Sequence, residues 1–141
     1  MVKAIPEREF QQQVIDLAHI FHWRVAHFRP AQTTKGWRTA VSADGMGFPD
    51  LVLAREGRLI FIEVKSEKGK LSLEQSEWLE VLKATGKCET FLLYPSDFDI
   101  IVKILGEGAT NEELQALRAN QALHHVPDTP MPLGVGVSKD A

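Results

Sequence analysis

The sequence predicts an α/β or α+β domain, with a small mixed β-sheet flanked by helices. Three observations predict it. Phe10, Val14, Leu17, Ala18 and Phe21 recur at the spacing of one helical face. Residues 50–54 and 59–65 read as two strands joined by the short turn Arg55-Glu56-Gly57-Arg58. Helical and strand signals then interleave as far as residue 105, in the order α-β-β-β-α-β-α.

Each element has a local cause. Pro6 suits the first turn of a helix, where its missing N–H has no intrahelical partner. Residues 23–28 read as a strand with Val25 and His27 on one side and Arg24, Ala26 and Phe28 on the other, closed by Pro30. Residues 31–47 are polar, contain glycine and are weakly periodic, so they are expected to be a long functional loop; Lys35, Trp37 and Arg38 give it a cation–aromatic mix. Ser72 and Gln75 form a capping box opening a helix that carries Trp78, Leu79 and Leu82 and stops at Gly86. Residues 89–94 form another strand, and Ser96 is expected to cap a helix over 97–105. The domain is therefore expected to span 1–105. Residues 106–141 form an appendage: a hinge at Gly106-Glu107-Gly108, a helix over about 111–123 and a Pro/Gly-rich tail expected to fray.

Composition excludes several classes. The 141 residues are one domain's worth, and 44% hydrophobic with 25% charged content is ordinary for a globular chain. No apolar run approaches the roughly 20 residues that cross a bilayer. The first 13 residues are too polar for a signal peptide. One cysteine, Cys88, allows no intrachain disulfide and too few thiols for a Cys/His zinc site. These features predict a cytoplasmic protein. The net charge of −3 hides an asymmetry: Arg24 to Lys70 holds nine Lys/Arg against five Asp/Glu. That basic excess falls where a phosphate backbone would lie.

The same segment carries the chemistry. Along a strand, Glu63 and Lys65 point to one face and Val64 to the other, with Ile60 and Ile62. The hairpin brings Asp50, at the start of the first strand, beside the end of the second. Two carboxylates and an ammonium then converge at one sheet edge. Such charges are costly at the end of a buried strand unless they are paired or bind a cation. Mg2+ suits the set, because it is usually held by one or two carboxylates with water and phosphate oxygens. Asp50 and Glu63 are the expected ligands of Mg2+ or Mn2+, with the Val64 carbonyl as a main-chain ligand. Lys65 is expected to position water or to stabilise charge on phosphate. A plain Glu63–Lys65 ion pair, with Asp50 ending a turn, is the structural alternative.

The surroundings of these residues resemble a known family. Gly47-Phe48-Pro49-Asp50-Leu51-Val52-Leu53, then Phe61-Ile62-Glu63-Val64-Lys65, then Gly69-Lys70-Leu71-Ser72 with Gln75, Trp78, Leu82 and Gly86, are similar to the VRR-NUC branch of the PD-(D/E)XK nucleases. The resemblance runs from about Glu9 to about Leu105. It implies a restriction-endonuclease-like core and metal-dependent hydrolysis of DNA. It makes Asp50 and Glu63 metal-binding acids and Lys65 the catalytic lysine. Gln75 matches a glutamine that leans toward the site, competing with its capping role. Glu9 matches a further acid from the first helix, with Glu7 competing for the role. His27, Arg29, Lys35, Arg38, Lys68 and Lys70 are expected DNA contacts. Stand-alone viral and bacterial relatives are similar to homodimeric Holliday-junction resolvases, which implies a homodimer acting on branched DNA. A flap, single-strand or nicking nuclease is the alternative among enzymes. A non-catalytic DNA-binding module is the alternative of another class.

Overall fold

The computed structural model describes residues 4–28, 31–38, 41–106, 112 and 136–137. Helix α1 spans Glu7–Ile20, strand β1 Arg24–His27, β2 Ala31–Thr33, β3 Gly36–Arg38, β4 Leu51–Arg55 and β5 Arg58–Val64. Helix α2 spans Leu73–Ala84 and strand β6 Glu89–Leu93. A 3-10 turn over Pro95–Asp97 leads into α3, Phe98–Gly106, and β7 is the two-residue strand Gly136–Val137. The main sheet has the order β1-β4-β5-β6-β7. β5 and β6 run parallel and every other pair antiparallel, so this is the expected mixed sheet.

The β4–β5 hairpin fixes the register of everything near the site. Arg55 pairs with Arg58 across the two-residue loop Glu56-Gly57, and both loop residues have positive φ (44° and 81°). This is the primed turn whose twist matches the flanking strands. Leu51 is then held opposite Ile62, which puts Asp50 level with Glu63. Ile60, Ile62 and Val64 are fully buried on one face of β5. α1 packs on β1 and β5, with α3 beside it. Phe10, Val14, Ile15 and Ala18 of α1 and Ile100, Ile101, Ile104 and Leu105 of α3 join the same core. α2 packs on β6 and covers the face of Phe61 and Glu63.

At the far end of the hairpin Trp23 sits between two guanidinium groups, Arg55 at 4.7 Å and Arg58 at 5.0 Å from its ring centre. Its indole N–H donates to the Leu105 carbonyl at 2.8 Å. Arg58 also forms a bidentate pair with Glu89 at 2.7 and 2.8 Å and donates to the Ile104 carbonyl. One residue thus ties β1, β5, β6 and α3 together. Trp23→Phe is expected to lower unfolding stability by about 1–2 kcal/mol, through the orphaned carbonyl and weaker cation–π contact, as read by urea denaturation.

The structure corrects three expectations. Residues 31–47 are not one irregular loop: β2 and β3 form a separate two-stranded sheet, with Thr33 opposite Gly36. Up to residue 105 the order accordingly has two more strands than expected, and β7 is a third. Three-residue strands with no apolar alternation leave no periodic trace, and Gly36, at φ +100°, supplies the closing conformation. Ser96 does not cap the last helix. The buried Asp97 turns back to accept from the Tyr94 N–H at 2.8 Å, while Ser96 is bound through its N–H and hydroxyl by Glu67. Pro6 stands just before the helix, at its N-cap, rather than inside its first turn. Beyond Gly106 the structure describes only Glu112, which is helical, and β7, which pairs with Glu89 and Thr90 of β6. The expected helix over 111–123 otherwise lies outside the described residues. Among the described residues no helix is long and apolar enough to cross a membrane.

Candidate active site

Asp50 enters β4 from Pro49, and its backbone carbonyl accepts from the Phe28 N–H at 3.1 Å, extending the β1–β4 ladder by one pair. Its carboxylate is aimed by the backbone of the neighbouring strand: Oδ2 accepts from the Val64 N–H at 3.3 Å. Glu63 is only 1% exposed. Its Oε2 accepts from Gln75 Nε2 at 3.0 Å and lies 3.5 Å from Lys65 Nζ. Its Oε1 is buried and meets no donor. The Asp50 carboxyl lies within hydrogen-bonding reach of Glu63, but two acceptors satisfy each other only through a shared proton or a bridging cation.

The electrostatics follow. Burial, then the Asp50 charge, push the Glu63 carboxyl up to about 9, with Lys65 opposing. Without a cation the pair therefore holds a proton at neutral pH. Glu7 is raised by burial, lowered by Lys65 and raised again by Asp50, so the α1 acid that senses this centre is Glu7. Glu9 lies two residues on, about 200° around the helix axis, and like that of Glu7 its side chain is exposed.

Gln75 resolves a competition left open by the sequence, because its amide does both jobs. Oε1 accepts from the Ser72 N–H at 2.9 Å, completing the capping box, while Nε2 holds Glu63. The cap fixes the side chain that fixes the carboxylate. Gly47 allows α2 to stand this close. Its φ is +84°, and a Cβ there would lie 2.6 Å from the Glu74 carbonyl carbon and 2.8 Å from the Gln75 nitrogen.

The structure thus gathers Asp50, Glu63, Val64, Lys65 and Gln75 at one edge, with Glu7 in electrostatic range. The other expected residues whose side chains are described, His27, Lys35, Lys68 and Lys70, lie elsewhere. His27 pairs in register with Leu51, on the core face and away from Glu63. Lys68 and Lys70 sit exposed on the loop that follows Lys65, and Lys35 is exposed in the β2–β3 turn. Arg38 belongs to β3, and Arg29 lies outside the described residues. Sequence reasoning missed the aromatic cluster beside Asp50. There Phe48 meets Phe28, Phe61 and Trp78 edge to face, with ring centres 5.6, 5.8 and 5.0 Å apart. The available signal was strand alternation, which separates Phe28 from His27, but not which strand Phe28 would lie beside.

Among the described residues no three His, Cys, Asp or Glu side chains converge as a metal cage. Two carboxylates, one with an orphaned buried oxygen, instead suit a hard cation that completes its shell with water and phosphate.

A mixed sheet between helices, presenting these groups at the end of its central hairpin, defines the restriction-endonuclease-like class, the PD-(D/E)XK nucleases. Within that class the chain belongs to the VRR-NUC family, whose domain model matches residues 4–92. No curated protein matches the chain. Membership makes this a nuclease-type protein, with DNA as the substrate the domain implies.

Proposed function

We propose that the protein is a metal-dependent endodeoxyribonuclease, selective for DNA structure in the manner of a Holliday-junction resolvase and active as a homodimer. The observation that carries the reading is the buried, donorless Glu63 Oε1 beside the Asp50 carboxyl: the pair is built to share a positive charge. Asp50 and Glu63 would hold Mg2+ or Mn2+, with the Val64 carbonyl and an α1 acid, Glu7 or Glu9, completing the protein's share. When bound, the cation supplies a Lewis acid for the phosphate and lowers the pKa of a water. The chain's own groups do the rest. The Val64 N–H and the Gln75 amide hold the two carboxylates in orientation. Once Glu63 is committed to a cation, the Lys65 ammonium is free to donate to a phosphate oxygen or to place the attacking water. Lys35, Arg38, Lys68 and Lys70, with Arg29 and His27, are proposed backbone contacts. Two copies related by a two-fold axis would make the paired cuts a four-way junction requires.

The test is cleavage of junction, flap, single-strand and linear duplex DNA with Mg2+, Mn2+ or chelator, by wild type, Asp50→Ala and Lys65→Ala. Cleavage is expected only from wild type and only with metal. If all three proteins behave alike, the reading is wrong. A monomer at micromolar concentration in analytical ultracentrifugation would remove the dimer.

A further inference from the structure

The aromatic cluster next to the carboxylates is not used by the chemistry above. Phe28 follows β1, and its N–H binds the backbone of Asp50 itself. Phe28, Asp50 and Glu63 therefore form one row across the same sheet face. Adjacent strands lie about 4.8 Å apart, so Phe28 stands about 5 Å from Asp50 and about 10 Å from Glu63, backbone to backbone. One nucleotide, from its phosphate to its base, covers that span.

The Phe28 ring is braced by an aromatic neighbour and still exposed. Phe48 meets it at 87°, and Phe48 in turn rests on Phe61 at 90° and on Trp78 at 83°. Trp78 is anchored by its indole N–H to the Asp44 carbonyl at 3.0 Å. Yet Phe28 itself is 44% exposed. A large apolar ring held firmly in place, exposed and one strand from two acids, is poorly explained by packing alone. A hydrophobic protein partner on this ring would cover the acids. Other large exposed apolar side chains, Ile20, Val41, Met46, Leu59, Leu73, Val81 and Phe98, are spread over several elements, and none of them is aromatic except Phe98 on α3.

We infer that Phe28 is a stacking platform for an unpaired nucleobase flanking the scissile phosphate, so that the site selects DNA with an unstacked nucleotide at the cut. Every base has a π-face, but in a duplex both faces are already stacked on neighbours. Only a single strand, a flap or a branch point offers one to Phe28. The inference rests on the nuclease reading for the position of the phosphate, and its test does not depend on cleavage.

Binding is measured with Ca2+ in place of Mg2+. The probes are a short single-stranded oligonucleotide, with 2-aminopurine at successive positions, and a blunt, fully paired duplex of the same sequence. With wild type, fluorescence is expected to quench at one or two adjacent positions of the single strand. Phe28→Ala should abolish that quench and weaken single-strand binding by about tenfold, the loss of one stacked base. Duplex binding should stay unchanged. Phe28→Tyr should restore the quench. Phe28→Leu, which keeps apolar packing on Phe48 and so guards against a folding defect, should not. Equal single-strand affinity and equal quench in wild type, Phe28→Ala and Phe28→Leu would overturn the proposal even if Mg2+-dependent cleavage is intact. A Phe28-dependent quench in a protein that cleaves nothing would keep the platform and remove the nuclease reading.

Discussion

Glu63→Gln is expected to abolish metal-dependent cleavage, by on the order of a thousandfold, and at the same time to stabilise the metal-free protein. An amide at this position accepts from Gln75 as Oε2 does now, and its NH2 donates to Asp50 in place of the shared proton. The buried oxygen that now meets no donor disappears. The sign of the pH effect follows from the raised carboxyl. Glu63 titrates at about 9 in the fold and near the ordinary 4.5 in the unfolded chain, so folding takes up a proton between those values. Its contribution is fully present below 4.5 and is lost as pH rises through about 9. Glutamine does not titrate, so the melting temperature of Glu63→Gln should exceed that of wild type by a margin that widens from pH 5 to pH 9. Mg2+ should raise the melting temperature of wild type and leave the variant nearly unmoved. An equal Mg2+ shift in both proteins would show that Glu63 is not a ligand.

Gly47→Ala is expected to cost about 2–4 kcal/mol of stability and most of the activity, although Gly47 carries no chemistry. A Cβ 2.6 Å from the Glu74 backbone cannot be accommodated by turning a side chain, and φ +84° is itself strained for alanine. The 47–50 segment or the start of α2 must move. Either movement separates Gln75 from Glu63 and shifts Asp50 against Val64. The Mg2+-induced rise in melting temperature should shrink along with activity. By contrast, Gly57→Ala, where nothing lies within 4 Å of a built Cβ, should carry only the strain of its backbone and keep the Mg2+ response. A Gly47→Ala protein with wild-type melting and wild-type cleavage would refute this role.

These residues show what can be read from a chain and what cannot. The β4–β5 hairpin was legible because the Glu56-Gly57 turn and the alternation of the flanking runs are local. The capping box at Ser72 was legible too, but the other end of the Gln75 side chain was not: its bond to Glu63 crosses twelve residues of sequence. The β2–β3 pair was hidden because two three-residue strands are too short to leave a periodic pattern in the sequence. The Ser96 cap failed because Glu67, from another loop, takes up the Ser96 N–H and hydroxyl, while the buried Asp97 turns back to Tyr94.

The sequence by itself determined that Asp50, Glu63 and Lys65 share an edge, since strand alternation and a two-residue turn leave the backbone no other arrangement. Only the tertiary structure decided what surrounds them. A helix carries acids on all sides, and its rotation is set by the surfaces it packs against. Glu7 therefore comes within range of Asp50 and Lys65 once Phe10 and Val14 are buried. In the same way, pairing with β4 put Phe28 beside Asp50 and sent His27 to the core face.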